Sequence, residues 1–272
     1  MLLRSLRQSR PPYSLHHLIR AALRPSYHAT QHRSGLRGTK EGVEWSDLGD
    51  LKLAHVACYL HDITNHPDGL ESFIQNVLAI KASIDAEMKS AYVASGKPYP
   101  PPNEYPGPKS KDVILYWLVR VLRPQLFIET GVDQGVSSRF ILQALSENGA
   151  GFLISMDPAS VTASGRPVGW LVPADLRSRW TFLNQTSQRT LEALTDRPDI
   201  FLHDSLHTYE QMLFEFRWAL QRLRPGGLIL SDDINENFAF RDFTLHYANR
   251  LTVLSSAVFG IAKCLSVGHE SF

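Results

Sequence analysis

Apolar residues recur at helical spacing between Leu70 and Ala94, where Phe73, Ile74, Val77, Leu78, Ile80, Ile84, Met88 and Tyr92 form one stripe. Such a stripe predicts a helix with one face turned to a core. From residue 109 the pattern changes to an alternation. A helix over Lys111–Leu122, capped by Ser110 and stopped before Pro124, leads into a short apolar run at Leu126–Glu129. A glycine-containing turn and a helix around Ser138–Ser146 follow. Further runs at Phe152–Met156, Trp180–Leu183, Ile200–Leu202 and Leu228–Leu230 read as strands, with helices over Leu191–Leu194 and Glu210–Leu223 between them. Strands alternating with helices predict an α/β fold, a parallel sheet covered on both faces. Ligands of such sheets bind in the crevice at the carboxyl ends of the strands.

Ahead of this alternation the chain has a different character. Ser14 can cap a short helix in which Leu15, Leu18, Ile19, Ala22 and Leu23 share a face opposite His16, His17, Arg20 and Arg24, and Pro25 ends it. Residues 97–108 hold six of the sixteen prolines, too many for a helix or a central strand, and mark a boundary or a loop draped over a cleft. Three segments result: a basic N-terminal segment over 1–40, a helical cap with a Pro-rich linker over 41–108, and the main domain over 109–272.

Charge sharpens the first of these boundaries. The 28 Lys+Arg and 27 Asp+Glu give a net charge of +1, yet residues 1–40 carry eight basic side chains and no acid. Subtracting those eight leaves 20 basic against 27 acidic residues, a net of −7 for the remainder. A disordered polyanion, a low-complexity chain and a strongly basic nucleic-acid binder are thereby excluded, and no nucleic-acid partner is expected. The basic start resembles a mitochondrial transit peptide; its other reading is a solvated basic helix docking on protein or lipid. Pro11, Pro12 and Pro25 favour the second. Only Cys58 and Cys264 are present, far apart, so neither a zinc cluster nor a disulfide framework is expected. No apolar run reaches the ~20 residues of a membrane span, and no secretory signal is visible. The expected compartment is the cytoplasm, with the mitochondrion as the alternative.

Four motifs fall at strand ends. Glu129-Thr130-Gly131-Val132-Asp133-Gln134-Gly135 closes the first strand; its two glycines allow a tight turn that approaches a ligand, and the helix behind offers free amide donors. Its spacing is not that of a dinucleotide fingerprint, and alone it could be a mere turn. Asp157 closes the second strand, where an acid can accept hydrogen bonds from both hydroxyls of a ribose or simply meet solvent before Pro158. His203-Asp204-Ser205-Leu206-His207-Thr208-Tyr209-Glu210 closes the fourth. Leu223-Arg224-Pro225-Gly226-Gly227 precedes a strand that delivers Asp232 and Asp233 to the sheet edge.

Taken in order, these motifs resemble the class I S-adenosylmethionine-dependent methyltransferases. The small-molecule O-methyltransferase branch (methyltransferase domain 24-like) is the nearer resemblance, through His203–Glu210 and Asp232–Phe240. The resemblance covers roughly residues 109–265. It implies a doubly wound, mostly parallel seven-stranded Rossmann-like sheet with an N-terminal helical extension, ending in an antiparallel hairpin for which Thr252–Ser255 and Val258–Lys263 are suitable. It places Gly131 and Gly135, with Glu129 nearby, against the methionine part of S-adenosyl-L-methionine, Asp157 on the ribose, and Asn184–Ser187 near the adenine. Asp133 departs from the pattern, standing where many members have glycine.

Methyl transfer needs an aligned nucleophile and, for a hydroxyl, a group that takes its proton. His207 is the expected base, since an ordinary imidazole titrates near neutrality, and Asp204 is the expected acid beside it. Asp204, Asp232 and Asp233 would repel one another uncompensated, which predicts Mg2+ or another divalent cation among them. The alternative is a metal-free site with Asp204 as an active-site acid and the other two capping a loop. Phe238, Phe240 and Phe243 could wall the substrate pocket. Arg241 could bind an acidic substrate group or pair locally, and His203 is expected to point into the interior. The reading is a methyltransferase acting on a hydroxyl of a small-molecule acceptor, a sugar, polyketide or phenolic, with a homo-oligomer compatible. Its rivals are an NAD-dependent oxidoreductase and a non-catalytic binding protein on the same fold.

Overall fold

A computed structural model of the chain describes residues 70–96, 107–255 and 258–265. The N-terminal basic helix, the segment 45–69 and most of the Pro-rich linker lie outside the described residues. Helix α1 (Leu70–Ser95) and α2 (Ser110–Leu122) precede β1 (Leu126–Thr130), α3 (Val136–Asn148), β2 (Phe152–Met156) and β3 (Trp180–Leu183). They are followed by α4 (Ser187–Ala193), β4 (Ile200–His203), α5 (Tyr209–Arg222), β5 (Leu228–Ser231), α6 (Ala239–His246), β6 (Leu251–Ser255) and β7 (Gly260–Cys264). The seven strands form one sheet in the order β3-β2-β1-β4-β5-β7-β6. β1 to β5 are mutually parallel and the β6–β7 hairpin is antiparallel, β7 pairing with β5.

Successive residues of the central strands feed opposite faces. Phe127, Leu202 and Leu230 join one apolar cluster with Phe140 and Leu145 of α3, Tyr116 and Val119 of α2, and Phe73, Ile84 and Met88 of α1. Ile128, Phe201 and Ile229 join the other, with Leu191 of α4, Phe216 and Trp218 of α5, and Phe240 and Phe243 of α6. Helix α1 therefore shares a core with the main domain, fastened further by Arg139 of α3, which donates to Glu87 at 2.9 Å and Ser83 at 2.8 Å. Among the described residues, none from α1 lines the cleft at the strand ends.

Three local details differ from the sequence expectation. The cap of α2 is Lys109, whose N–H donates to Asp112 Oδ2 at 2.7 Å. Helix α4 begins earlier than its apolar positions indicate because Thr186 accepts the Arg189 N–H and starts it from a polar turn. Phe240 and Phe243 are buried packing residues of α6, while Phe238 stays exposed with Arg241 stacked 4.1 Å from its ring centre. Arg241 also donates to Asp242 at 2.8 and 2.9 Å, the local pairing of the two readings above. Among the described residues no helix is long and apolar enough to cross a membrane.

Candidate active site

The sheet order reverses between β1 and β4, so the loops leaving these two strands diverge to opposite faces and open a crevice between them. A cavity of about 710 Å3 lies there, within the usual range for small-molecule sites.

The loop after β1 forms its floor. Gly131 has φ +81°, and a Cβ built on it would stand 1.9 Å from the Asp204 carbonyl oxygen. Only glycine lets the β1 and β4 ends lie this close. Gly135, φ +89°, begins α3 and packs with its Cα face against Gly169 and Val172. Asp133, the departure from the glycine many family members have there, has φ +42°, a conformation aspartate tolerates better than most residues.

Two acids fasten this loop in different ways. Asp157 Oδ2 accepts the Val132 N–H at 3.0 Å and the Asp133 N–H at 3.1 Å, and Oδ1 accepts the Ala159 N–H at 2.9 Å. It lines the cavity, and a carboxylate's four lone-pair positions leave room for a further donor. Glu129 does not reach the cavity. It is fully buried and receives hydroxyl hydrogen bonds from Ser137 and Ser138 at 2.6 Å and from Ser155 at 2.7 Å. Burial raises its pKa and the three hydroxyls pull it back. A segment between β2 and β3 that carries no motif closes over the loop, with Gly169 donating to the Asp133 carbonyl at 2.8 Å and Leu171 to that of Gln134 at 3.0 Å.

On the far side, the β4 and β5 ends bring Asp204, Asp232 and Asp233 to the cavity wall. Asp204 and Asp232 are drawn together by a residue the sequence motifs did not flag. Lys111, from the first turn of α2, donates its ammonium to Asp204 Oδ2 at 2.7 Å and to Asp232 Oδ2. Burial alone would lower the Lys111 pKa, but the two carboxylates outweigh it and hold it well above the ordinary value. Burial raises Asp204, whereas at Asp232 the Lys111 charge overcomes burial and lowers the pKa.

This arrangement does not fit the expected divalent cation. The position between Asp204 and Asp232 is taken by the Lys111 ammonium. Asp233, at φ +46°, turns instead toward His207, its Oδ2 lying 3.9 Å from Nδ1. Among the described residues no group of three His, Cys, Asp or Glu side chains is disposed to hold a metal ion.

His207 stands behind the wall rather than in it: Asp233 lines the cavity and His207 does not. Its ring meets that of His203 edge-on at 5.2 Å, and its Nε2 is buried without a hydrogen-bond partner. Burial, then the neighbouring His203, lowers its pKa, which keeps the ring neutral at pH 7. His203 is fully buried and donates from Nδ1 to Glu215 Oε2 at 2.6 Å. Glu215 also accepts from Thr130 (2.7 Å), Ser205 (2.8 Å) and Gln211 (2.7 Å). Burial would raise Glu215, but the His203 hydrogen bond and the other donors lower it, so a carboxylate ties together the ends of β1 and β4 and helix α5. Sequence spacing had not singled out Glu215.

Residues 128–234 match the sequence family described as a methyltransferase domain. Among solved structures, a cofactor-bound protein from MTB superposes with a TM-score of 0.53 at 16% identity, covering 75% of this chain and 99% of that one. The O-methyltransferase from Bacillus cereus, in complex with SAH, gives 0.50 at 16% identity, covering 79% and 100%. An SAH-bound methyltransferase from Podospora anserina gives 0.50 at 11% identity, covering 86% and 100%. No curated protein sequence matches the chain at a significant level. The match to a methyltransferase domain thus spans β1 to the end of β5, and the sheet has the fold of these solved structures.

Proposed function

We propose that the cavity binds S-adenosyl-L-methionine against the Gly131–Gly135 loop and transfers its methyl group to a hydroxyl of a small molecule. The observation that carries this is the wall chemistry at the β1/β4 crevice. Six aspartates (Asp112, Asp133, Asp157, Asp204, Asp232, Asp233) and two lysines (Lys109, Lys111) line the cavity. That excess of acid suits a cationic sulfonium ligand. The SAH held by the Bacillus cereus and Podospora anserina proteins is in line with it. Asp157 is assigned the ribose and Thr186 and Ser187, also in the lining, the adenine end. Glu129 acts through the loop it holds.

In this reading the acceptor hydroxyl approaches from the Asp204/Asp232/Asp233 side, in line with the methyl–sulfur bond. Its oxygen forms the new bond to the methyl carbon as the sulfonium leaves as a neutral thioether, and its proton passes to the His207–Asp233 pair. A neutral imidazole beside a carboxylate is suited to that task. No step is assigned to a divalent cation, because Lys111 holds the place one would take. The cavity size supports a small-molecule acceptor, for which a sugar, a polyketide and a phenolic are the candidate classes.

The test is label transfer. Methyl-labelled S-adenosylmethionine incubated with the full chain and a panel of phenols, sugars and polyketides is expected to yield labelled methyl ether and S-adenosylhomocysteine. Tight S-adenosylmethionine binding without transfer to any acceptor would favour a binding protein. Preferential binding of NADH, with hydride transfer, would overturn the reading.

A further inference from the structure

We infer that Lys111 is the built-in cation of this site, standing where a divalent metal would otherwise bridge Asp204 and Asp232, and that it anchors the acceptor oxygen. The inference rests on the methyltransferase reading of the cavity and adds to it a residue and a restriction on the substrate.

Lys111 is supplied by α2, 93 residues before Asp204 and 121 before Asp232 in the chain. Its side chain is only 16% exposed, and its partners are 20% and 10% exposed. A buried ammonium held by two carboxylates from adjacent strand ends is a fixed charge, because neither partner can leave without stranding the other. An ammonium has three N–H donors. Asp204 and Asp232 take two of them, and Lys111 itself lines the cavity. The third donor is available to one oxygen of a bound molecule.

This changes what the site can recognise. A divalent cation gathers several oxygen ligands at once and so selects acceptors with two adjacent oxygens. An ammonium with one remaining donor holds a single oxygen. The acceptor class is therefore a molecule with an isolated hydroxyl, with no requirement for a vicinal diol or catechol. The hydrogen bond from Lys111 would also stabilise negative charge on that oxygen as His207–Asp233 removes the proton.

Replacing Lys111 should turn the aspartates into the metal site they resemble. The probe is Mn2+ alone, followed by electron paramagnetic resonance, on the full-length chain and on Lys111→Met, which keeps the apolar stem. S-adenosylhomocysteine binding is measured on both as the check of folding and of the cofactor reading. The expected result is no saturable Mn2+ binding to the parent chain, and binding to Lys111→Met tighter by at least about tenfold. Saturable Mn2+ binding by the parent chain would overturn the inference, whatever the variant does. So would a variant that binds S-adenosylhomocysteine normally and no Mn2+, since the carboxylates would then have no cation site to reveal. Lys111→Gln is read by the same criteria should Lys111→Met fail to bind S-adenosylhomocysteine. Failure of the parent chain itself to bind S-adenosylhomocysteine would sink the methyltransferase reading and leave the Mn2+ comparison to judge Lys111 separately.

Discussion

Asp112 provides a stability test whose sign runs against the usual behaviour of a carboxylate. It sits in the first turn of α2, 1% exposed, with Oδ2 accepting the Lys109 N–H at 2.7 Å and Oδ1 buried without a partner. Burial pushes its carboxyl up to about 6, against the opposing pull of the Lys111 charge and the Lys109 N–H. An unfolded aspartate titrates at about 3.9, so the difference is about 2 units, or about 3 kcal/mol at 1.36 kcal/mol per unit. The folded state binds this proton more tightly than the unfolded chain. Its contribution is thus fully present below about pH 4 and is lost as the pH rises to about 6. Asparagine keeps an oxygen for the Lys109 N–H and carries no charge, while its amide nitrogen meets the pocket now facing Oδ1, a pH-independent cost of about 1–3 kcal/mol. Urea unfolding of the parent chain and Asp112→Asn, followed by circular dichroism at pH 4 and pH 8, isolates the charge. The variant should gain about 3 kcal/mol relative to the parent between the two pH values, since the other titrations cancel in the difference. A stability difference between the two proteins that is the same at both pH values would refute the argument.

Other outcomes concern the glycine loop, the cofactor contacts and methyl transfer. Gly131→Ala should cost more than about 3 kcal/mol of stability and abolish S-adenosylhomocysteine binding, because its Cβ would overlap the Asp204 carbonyl. Gly165→Ala, with a similar φ of +79° and nothing within 4 Å, should cost only about 1–2 kcal/mol in thermal melts. Asp157→Ala should weaken S-adenosylhomocysteine binding by more than about tenfold, 1.4 kcal/mol, in calorimetry. Unchanged affinity would remove Asp157 from the cofactor's contacts. For methyl transfer, His207→Ala should lose turnover while keeping S-adenosylhomocysteine affinity. The rate of the parent chain should rise with pH through a midpoint below about 6.5, and Asp233→Asn should move that midpoint lower still, since the Asp233 charge is the larger of the two, with Asp232, that raise the His207 pKa against burial.

The central strands were legible because each is a short apolar run between turn signals that lies inside the molecule, β4 and β5 with every residue buried, so composition alone marks them. β1, β4 and β5 are the clearest, with Phe127 and Ile128, Phe201 and Leu202, and Ile229 and Leu230 all buried. Helix α6 was not legible as a helix. Its Phe240 and Phe243, three apart, pack on Phe216 at ring-centre distances of 5.8 and 5.2 Å, yet beside two aspartates they read as the wall of a pocket. The segment over the glycine loop gave no signal because its order is tertiary. Val168, Leu171 and Val172 are buried without periodicity, fixed by hydrogen bonds to the carbonyls of Asp133 and Gln134.

The site shows the same division between local and long-range information. Gly131, Gly135, Asp157, Asp204, Asp232 and Asp233 all follow strands, so their arrival at one crevice follows from the parallel topology. What spacing does not carry is which side chain answers a charge. Glu129 stands at a strand end like the others, yet three serine hydroxyls enclose it below the cleft. Glu215 looks like one more solvated helix acid beside Phe216, yet it is fully buried and ties the ends of β1 and β4 to α5. Lys111 is one of two lysines in a short polar turn, and nothing local separates it from exposed Lys109. Three carboxylates counted along strand ends require a positive charge. Their repulsion specifies a charge and not its chemistry, and the helix before β1 supplies a monovalent cation with one hydrogen-bond donor left over. A site built this way can bind an isolated oxygen without first having to capture an ion.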